Sequence, residues 1–155
     1  MSLIQEMMTR VANGGAFNQA DFRRFSPAEI RECIQQLVAT EQTELANALG
    51  DAGLSLYPQS PDILAITSLL AMVNQDWHLA VELIDDLLSI QGDSTPAFTF
   101  VMMVRALRCS LDPHRALEIA NKGLSIYPGQ IELTAEKLSL DSFANSLMPE
   151  AGQHH

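Results

Sequence analysis

Four histidines and nineteen acidic residues are the raw material for chemistry in this chain. His78 and Glu82 stand four residues apart, as do His114 and Glu118, so on a helix each pair shares a face. Such a pair offers two metal ligands, whereas a catalytic zinc takes three protein ligands and a water. The reading adopted is therefore an ordinary surface pair. Asp85 and Asp86 are neighbours, and on a helix neighbours diverge by about 100°, so they cannot share a proton and read as a solvated face. Cys33 and Cys109 form no C-x-x-C pair. Both fall in apolar helical stretches, where a buried and inert thiol is expected. The sequence has no Gly-rich phosphate loop, no H-E-x-x-H and no G-x-S-x-G. Gly14-Gly15 reads as a break after a first helix. The expectation is a protein that is not an enzyme and takes no cofactor and no metal.

Stepping out to the whole chain, 155 residues suit a single domain, and 47% apolar content is enough for a core rather than a disordered chain. A net charge of −10 argues against nucleic acid, since phosphate contact needs clustered Lys and Arg. The longest apolar run, "FTFVMMV", is far short of a membrane span. The opening "MSLIQEMMTR" lacks a basic start followed by an apolar stretch. A cytoplasmic protein with no membrane insertion is expected.

The elements that must position any site announce themselves by repetition. "GLSLYP" at 53–58 and "GLSIYP" at 123–128 bracket "LLSIQG" at 87–92 in the same phase. Eight residues before each Leu-Ser pair stands an alanine: Ala46, Ala80, Ala116, spaced by 34 and 36. Prolines recur at Pro27, Pro61 and Pro96. Ser26-Pro27, Ser60-Pro61 and Thr95-Pro96 read as a helix N-cap followed by Pro in the first turn, with Glu29 completing a capping box. Asp112-Pro113 and "NQD" at 74–76 start second helices. Tyr57-Pro58 and Tyr127-Pro128 stop them, because the residue before Pro is pushed out of the α region, and Gly92 does so in the middle repeat.

The predicted helices are 3–12, 27–39, 43–56, 61–74, 77–90, 96–110, 113–126 and 130–147, with no strand. Ile30, Cys33, Ile34 and Leu37 make one helical face. So do Ala46, Gly50, Gly53 and Leu54; Ala80, Ile84, Leu87 and Leu88; and Ala116, Ala120, Gly123 and Leu124. Small residues recur where helices must approach closely. The final segment reads as a capping helix whose polar outer face is Glu132, Glu136, Lys137 and Asp141.

The 34-residue spacing, the Ala with a large residue four positions on (Ala80, Ile84) and the closing Pro resemble the tetratricopeptide repeat family. "NQDWHLA" matches its turn before the alanine. The resemblance covers 27–128. It departs from the family on the first helix of the second repeat, where Leu64, Thr67 and Ser68 replace the usual aromatic, Leu and Gly. Gly50 and Ala120 stand where a large residue is usual. The resemblance implies an all-α, right-handed superhelix of antiparallel hairpins: one domain over 1–155, with an N-terminal helix and linker at 3–25. Repeats follow at 27–60, 61–95 and 96–129, then the capping helix at 130–147 and a disordered tail at 148–155.

The resemblance also implies that first helices line a concave groove, at their second, fifth, ninth and twelfth places. In the first repeat these are Ala28, Arg31, Gln35 and Val38. In the second they are Asp62, Ala65, Leu69 and Met72. In the third, counting from Pro96 gives Ala97, Phe100, Val104 and Leu107, while counting back from Ala116 gives Phe98, Val101, Arg105 and Arg108. The candidate partner residues are thus Arg31, Gln35, Val38, Ala65, Leu69, Met72, Phe100, Val101, Val104, Arg105 and Arg108. Some family members clamp a chaperone's terminal carboxylate with Lys, Asn and Arg on this wall. Here Arg31 matches the first basic residue, but Gln35 and Ile66 stand where Asn is wanted, so that clamp is not expected.

Two functions follow. One is a protein-interaction module whose groove takes an amphipathic helix or an extended apolar segment of a partner. In size, acidity and repeat number it is similar to bacterial type III secretion chaperones. The alternative is a self-assembling scaffold, or homodimer, whose amphipathic N-terminal helix (Leu3, Ile4, Met7, Met8, Val11) covers an apolar wall.

Overall fold

Each helix begins and ends on a local device. In the computed structural model, which describes residues 23–147 and Gln5, seven helices follow one another with no strand among the described residues. They are α1 (Pro27–Ala39), α2 (Thr43–Leu56), α3 (Pro61–Val73), α4 (Trp77–Gln91), α5 (Ala97–Cys109), α6 (Pro113–Ile126) and α7 (Ile131–Leu147). A short 3₁₀ turn, Gly92–Ser94, precedes α5. The predicted helices 27–147 agree to within one residue at every boundary. The expected helix at 3–12, the Gly14-Gly15 break and the tail at 148–155 lie outside the described residues.

The caps are those the sequence promised, with one exception. Ser26 Oγ accepts from Glu29 N at 3.2 Å while Glu29 Oε1 accepts from Ser26 N at 3.0 Å, a complete capping box. Ser60, Asp76 and Asp112 accept from the backbone N–H three residues on. The exception is Thr95, expected to cap with Pro96 inside the helix. Pro96 is itself the N-cap, and the Thr95 hydroxyl turns back to donate to Gly92 O at 2.6 Å. Thr95 is drawn inward because its carbonyl accepts from the Tyr127 hydroxyl at 2.6 Å.

That last bond repeats. Tyr57 Oη donates to Phe25 O at 2.7 Å, and both tyrosines reach back 32 residues. Each ties the end of a second helix to the chain just ahead of its own hairpin's first helix. This is what the recurrent "YP" does beyond stopping a helix.

The hairpin turns repeat as well. Glu41, Gln75 and Leu111 all take positive φ, at 61°, 60° and 65°. In each turn this residue's N–H bonds the carbonyl three back, and the next residue's N–H bonds the carbonyl five back, as in Glu41 to Val38 (3.1 Å) and Gln42 to Leu37 (2.8 Å). These are Schellman turns, in which glycine is the usual left-handed residue. Glycine is absent from all three.

The chain divides into two compact units between Gln91 and Gly92. In the first, α1 packs on α2 and α3, α2 on α3, and α3 on α4. Its core holds Ile30, Ile34, Leu37, Ala46, Leu49 and Ile63, each at most 1% exposed. In the second, α5 and α6 form a hairpin and α7 packs on both. Ala46, Ala80 and Ala116 are all fully buried, as predicted. Gly123 is more confined still. A Cβ there would lie 2.7 Å from Leu133 Cδ1 and 3.0 Å from Phe100 Cβ.

Three substitutions check this account by urea denaturation. Ala116→Leu overpacks the α6 crossing and lowers stability by about 1–3 kcal/mol. Tyr127→Phe leaves the Thr95 carbonyl short of a partner and lowers it by about 1 kcal/mol. Leu111→Gly relieves a left-handed leucine and raises it by about 1 kcal/mol.

Candidate functional site

The face built by the first helices of the first unit, α1 and α3, carries a shallow apolar cleft of about 250 Å³. Gln35, Val38, Ile66, Leu69, Leu70 and Val73 line it. Three of these, Gln35, Val38 and Leu69, are predicted groove residues, brought together because α1 and α3 pack side by side. Leu70 and Val73 are the ones that sequence reasoning passed over, and Ile66 was placed on this wall only as a departure from the carboxylate clamp. Val73 is 57% exposed, an apolar side chain at the end of α3 with open solvent beside it. Ala65 and Met72 lie half-buried on α3 and do not line the cleft.

Arg31 closes the other end of this face. Its guanidinium donates to Asp62 Oδ1 at 2.6 Å, linking α1 to α3. Both side chains are more than a third exposed, so the pair contributes at most about 1 kcal/mol. Its effect is to occupy the charge of Arg31.

In the second unit, α5 is buried on most of its circumference. Phe100, Val101 and Val104 are 1%, 0% and 0% exposed and belong to the interior. The solvent-facing positions of α5 include Phe98, Arg105 and Arg108, three of the four counted back from Ala116; the fourth, Val101, is buried. Arg105 donates to Glu132 and Glu136, each at 3.2 Å. Arg108 donates to Glu136 and, at 3.1 Å, to Ser139 Oγ. Glu132 and Glu136, expected on an outer polar face, instead turn toward α5. Its two arginines would otherwise stand alone beside an apolar helix, and Glu136 is only 12% exposed between them. Beside this network lies a cleft of about 480 Å³, lined by Arg108, Leu111, Pro113, Ser139, Leu140 and Phe143.

The two clefts are related by the repeat. Adding 70 to Val38, Leu69, Leu70 and Val73 gives Arg108, Ser139, Leu140 and Phe143, so four residues of each cleft hold equivalent positions. The same step takes Gly53 to Gly123 and Tyr57 to Tyr127. The α7 segment therefore sits on α5 as α3 sits on α1.

Solved structures similar to this one include three repeat proteins. A MamA double mutant (MamA RS-1 ArsTM) is 12% identical, with TM-score 0.69, over 92% of this chain and 84% of that one. A putative kinesin light chain of Podosopora anserina with nearly identical TPR-like repeats is 18% identical, with TM-score 0.68, over 97% and 80%. The chain has the tetratricopeptide-like repeat fold. The assembly chaperone of RpL4, Acl4 (residues 1–338), is 15% identical, with TM-score 0.61; the match covers 96% of this chain but only 59% of that one. No family model and no curated protein matches the sequence.

His114 Nε2 and Glu118 Oε1 are 3.0 Å apart on an open surface, 87% and 64% exposed, which is the surface pair expected from their spacing. Among the described residues no three His, Cys, Asp or Glu side chains converge as metal ligands. No helix there is long and apolar enough to cross a membrane. The cysteines differ from expectation in one respect. Cys33 is buried, but Cys109, at the end of α5, is exposed. The reason is that the helix presents its last turn, from Arg108 on, to solvent.

Burial pushes the Cys33 thiol up to about 11. It therefore stays protonated, and so non-nucleophilic, until the solution is strongly alkaline. At about pH 8 a thiol-specific reagent is expected to label Cys109 in the folded protein, and Cys33 only once urea unfolds it. Mass spectrometry of the labelled peptides reads the outcome.

Proposed function

We propose that this chain is a non-enzymatic protein-interaction module that takes an apolar segment of a partner, as an amphipathic helix or an extended strand, on the α1–α3 face. One observation carries the reading. Val38, Leu69 and Val73 form an apolar cleft beside solvent, on the face where this repeat fold presents its first helices. An apolar surface left open at this size has room for one or two side chains of a partner, and a few buried anchors supply most of the energy of such contacts. Arg31 and Gln35 border the site, with Arg31 held by Asp62.

Arg105 and Arg108 are the candidate contact residues of the second unit taken by itself, where their neutralised guanidinium groups suit polar contacts at a rim. Phe100, Val101 and Val104 support that face from within. A chaperone role, holding an aggregation-prone partner as type III secretion chaperones do, fits the acidity and small size. Acl4, titled an assembly chaperone, shares the fold. Protein partners, a soluble cytoplasmic setting and a single domain over 1–155 belong to the same proposal.

A second reading, self-assembly, is favoured by one observation. Leu111 and Phe143, at the 480 Å³ cleft, are 86% and 51% exposed. The amphipathic segment 3–12 is the sequence candidate for covering such a surface in another copy.

Leu69→Asp tests the first reading. It places an unpaired carboxylate in the cleft at a half-buried position, so helical circular dichroism should be retained. Capture of a protein from the source organism's lysate should fall by at least about tenfold. Undiminished capture with the fold intact would remove the α1–α3 face from the proposal. Light scattering before and after deletion of residues 2–12 tests the second, and an unchanged monomer would end it.

A further inference from the structure

Among the described residues, α7 holds the place of a first helix with no second helix after it. The step of 70 residues carries α3 onto α7. In the first unit α3 packs on α1, α2 and α4. Its Ile63, Ile66 and Leu70 turn into the core shared with α1 and α2. Leu64, Ser68 and Ala71 follow at i, i+4 and i+7 on another side of the helix, 1%, 0% and 3% exposed. That side belongs to α4, since Ala71 shares a crevice with Leu79 and Leu83. In the second unit α7 packs on α5 and α6. Leu138, the equivalent of the fully buried Ser68, is 63% exposed, and Ile131 is 82% exposed. Ile131, Ala135 and Leu138 stand at i, i+4 and i+7, so these exposed residues form one stripe along the first two turns. The buried residues of α7, Leu133 and Leu140, lie on the opposite side. The helix is thus apolar on two sides, and its own unit covers one of them.

The sequence holds a match for the missing cover. α4 packs on α3 with "LIDDLL" at 83–88, in which Leu83, Ile84 and Leu87 are buried. Residues 3–8 read "LIQEMM". Both have a Leu-Ile pair, a polar pair ending in an acid, and a second apolar pair. Gln5, in the polar pair, is helical and exposed. The other stretches outside the described residues, "NGGAFNQADF" at 13–22 and "MPEAGQHH" at 148–155, lack this pattern. Methionine in place of leucine suits the site, because its unbranched chain adapts to a face where Leu138 stands in place of a serine.

We propose that segment 3–12 of one copy lies antiparallel along the outward stripe of α7 in a second copy, as α4 lies on α3. The turn 74–76 is short, so the start of α4 meets the end of α3, and Leu83 comes level with Ser68. Carried over, Leu3 and Ile4 sit on Leu138, and Met7 and Val11 run toward Ala135 and Ile131. The contact joins two different surfaces, so each copy gives one segment and receives one. The proposal rests on the self-assembly reading above and gives the segment a seat, the α7 stripe in place of the cleft at Leu111 and Phe143.

The test mixes two chains, one carrying Ile4→Cys and the other Leu138→Cys. Both carry Cys109→Ser to remove the exposed native thiol, while Cys33 is buried. A disulfide forms only where two Cα atoms come within about 7 Å. The two cysteines are on different chains, so a peptide pair joining position 4 to position 138 is a link between copies. After mild oxidation, mass spectrometry is expected to find that pair at about tenfold or more the yield of Ile4→Cys mixed with Leu111→Cys. Light scattering of the unsubstituted chain should show a mass that rises with concentration. Leu138→Lys should weaken assembly by about tenfold or more, with helical circular dichroism unchanged, whereas Leu111→Lys should leave it as it was. A link to position 111 and none to 138, or assembly indifferent to Leu138→Lys, would overturn the α7 seat and leave self-assembly standing. A link that forms only when both cysteines are on one chain would show the segment covering its own α7 and overturn the proposal. An unsubstituted chain that stays monomeric at every concentration would overturn the proposal and the self-assembly reading together.

Discussion

Two helices can approach within the ~8–10 Å of close packing only where side chains are small. Ala46, Ala80 and Ala116 mark the same point on α2, α4 and α6, and all three have no exposed surface. Gly50 and Gly123 are two further positions of tight fit, with would-be Cβ atoms 2.9 Å from Leu70 and 2.7 Å from Leu133. Each of those leucines belongs to the first helix that follows in the same unit. At Gly123 the missing side chain sets two contacts at once, that within the hairpin (Phe100) and that with the next helix (Leu133). Everything a partner could meet on the α1–α3 face depends on this, because the spacing of α2 against α3 fixes where α3 lies beside α1.

The turns then fix direction. Three Schellman turns with positive φ reverse the chain after α1, α3 and α5. A left-handed non-glycine residue is disfavoured by about 1–2 kcal/mol. In this protein that penalty recurs three times, at Glu41, Gln75 and Leu111. Two of these residues flank the clefts: Leu111 lines one, and Glu41 follows Val38 of the other. Strain in such places is a pointer to function rather than a demonstration of it.

Much of this was legible in the letters. The helix boundaries, the capping box at Ser26 and Glu29, the core face Ile30, Cys33, Ile34, Leu37, and the buried alanines were all readable from spacing alone, because each rests on a rule local to one or two turns. What spacing could not supply was pairing across distance. The Tyr57 and Tyr127 hydroxyl bonds span 32 residues, and the second of them moves Thr95 off its capping duty. The register of α5 stayed ambiguous for the same kind of reason. "AFTFVMMVRALRC" is apolar on nearly every side, so periodicity carries little direction, and only the acids of α7 show that Arg105 and Arg108 face that helix. Glu132 and Glu136 looked like solvent residues because their partners lie 27 to 31 positions away.

The repeat relation also explains why the two equivalent faces are not interchangeable. A step of 70 residues turns Gln35 into Arg105, Val38 into Arg108 and Ile66 into Glu136. These three changes form one unit of chemistry. Either arginine alone would sit beside an apolar helix without a counter-charge, and Glu136, 12% exposed, would be an expensive lone carboxylate. Together they satisfy one another, and the face of the second unit closes over a salt-bridge network with its open apolar surface displaced toward Leu111 and Phe143. The face of the first unit keeps the apolar set, and its single arginine is bound at the opposite end from Val38 and Val73. The floor of that cleft is shared with the core, through Ile66 and Leu70, so the same side chains that hold α1 against α3 also form the apolar surface beside solvent.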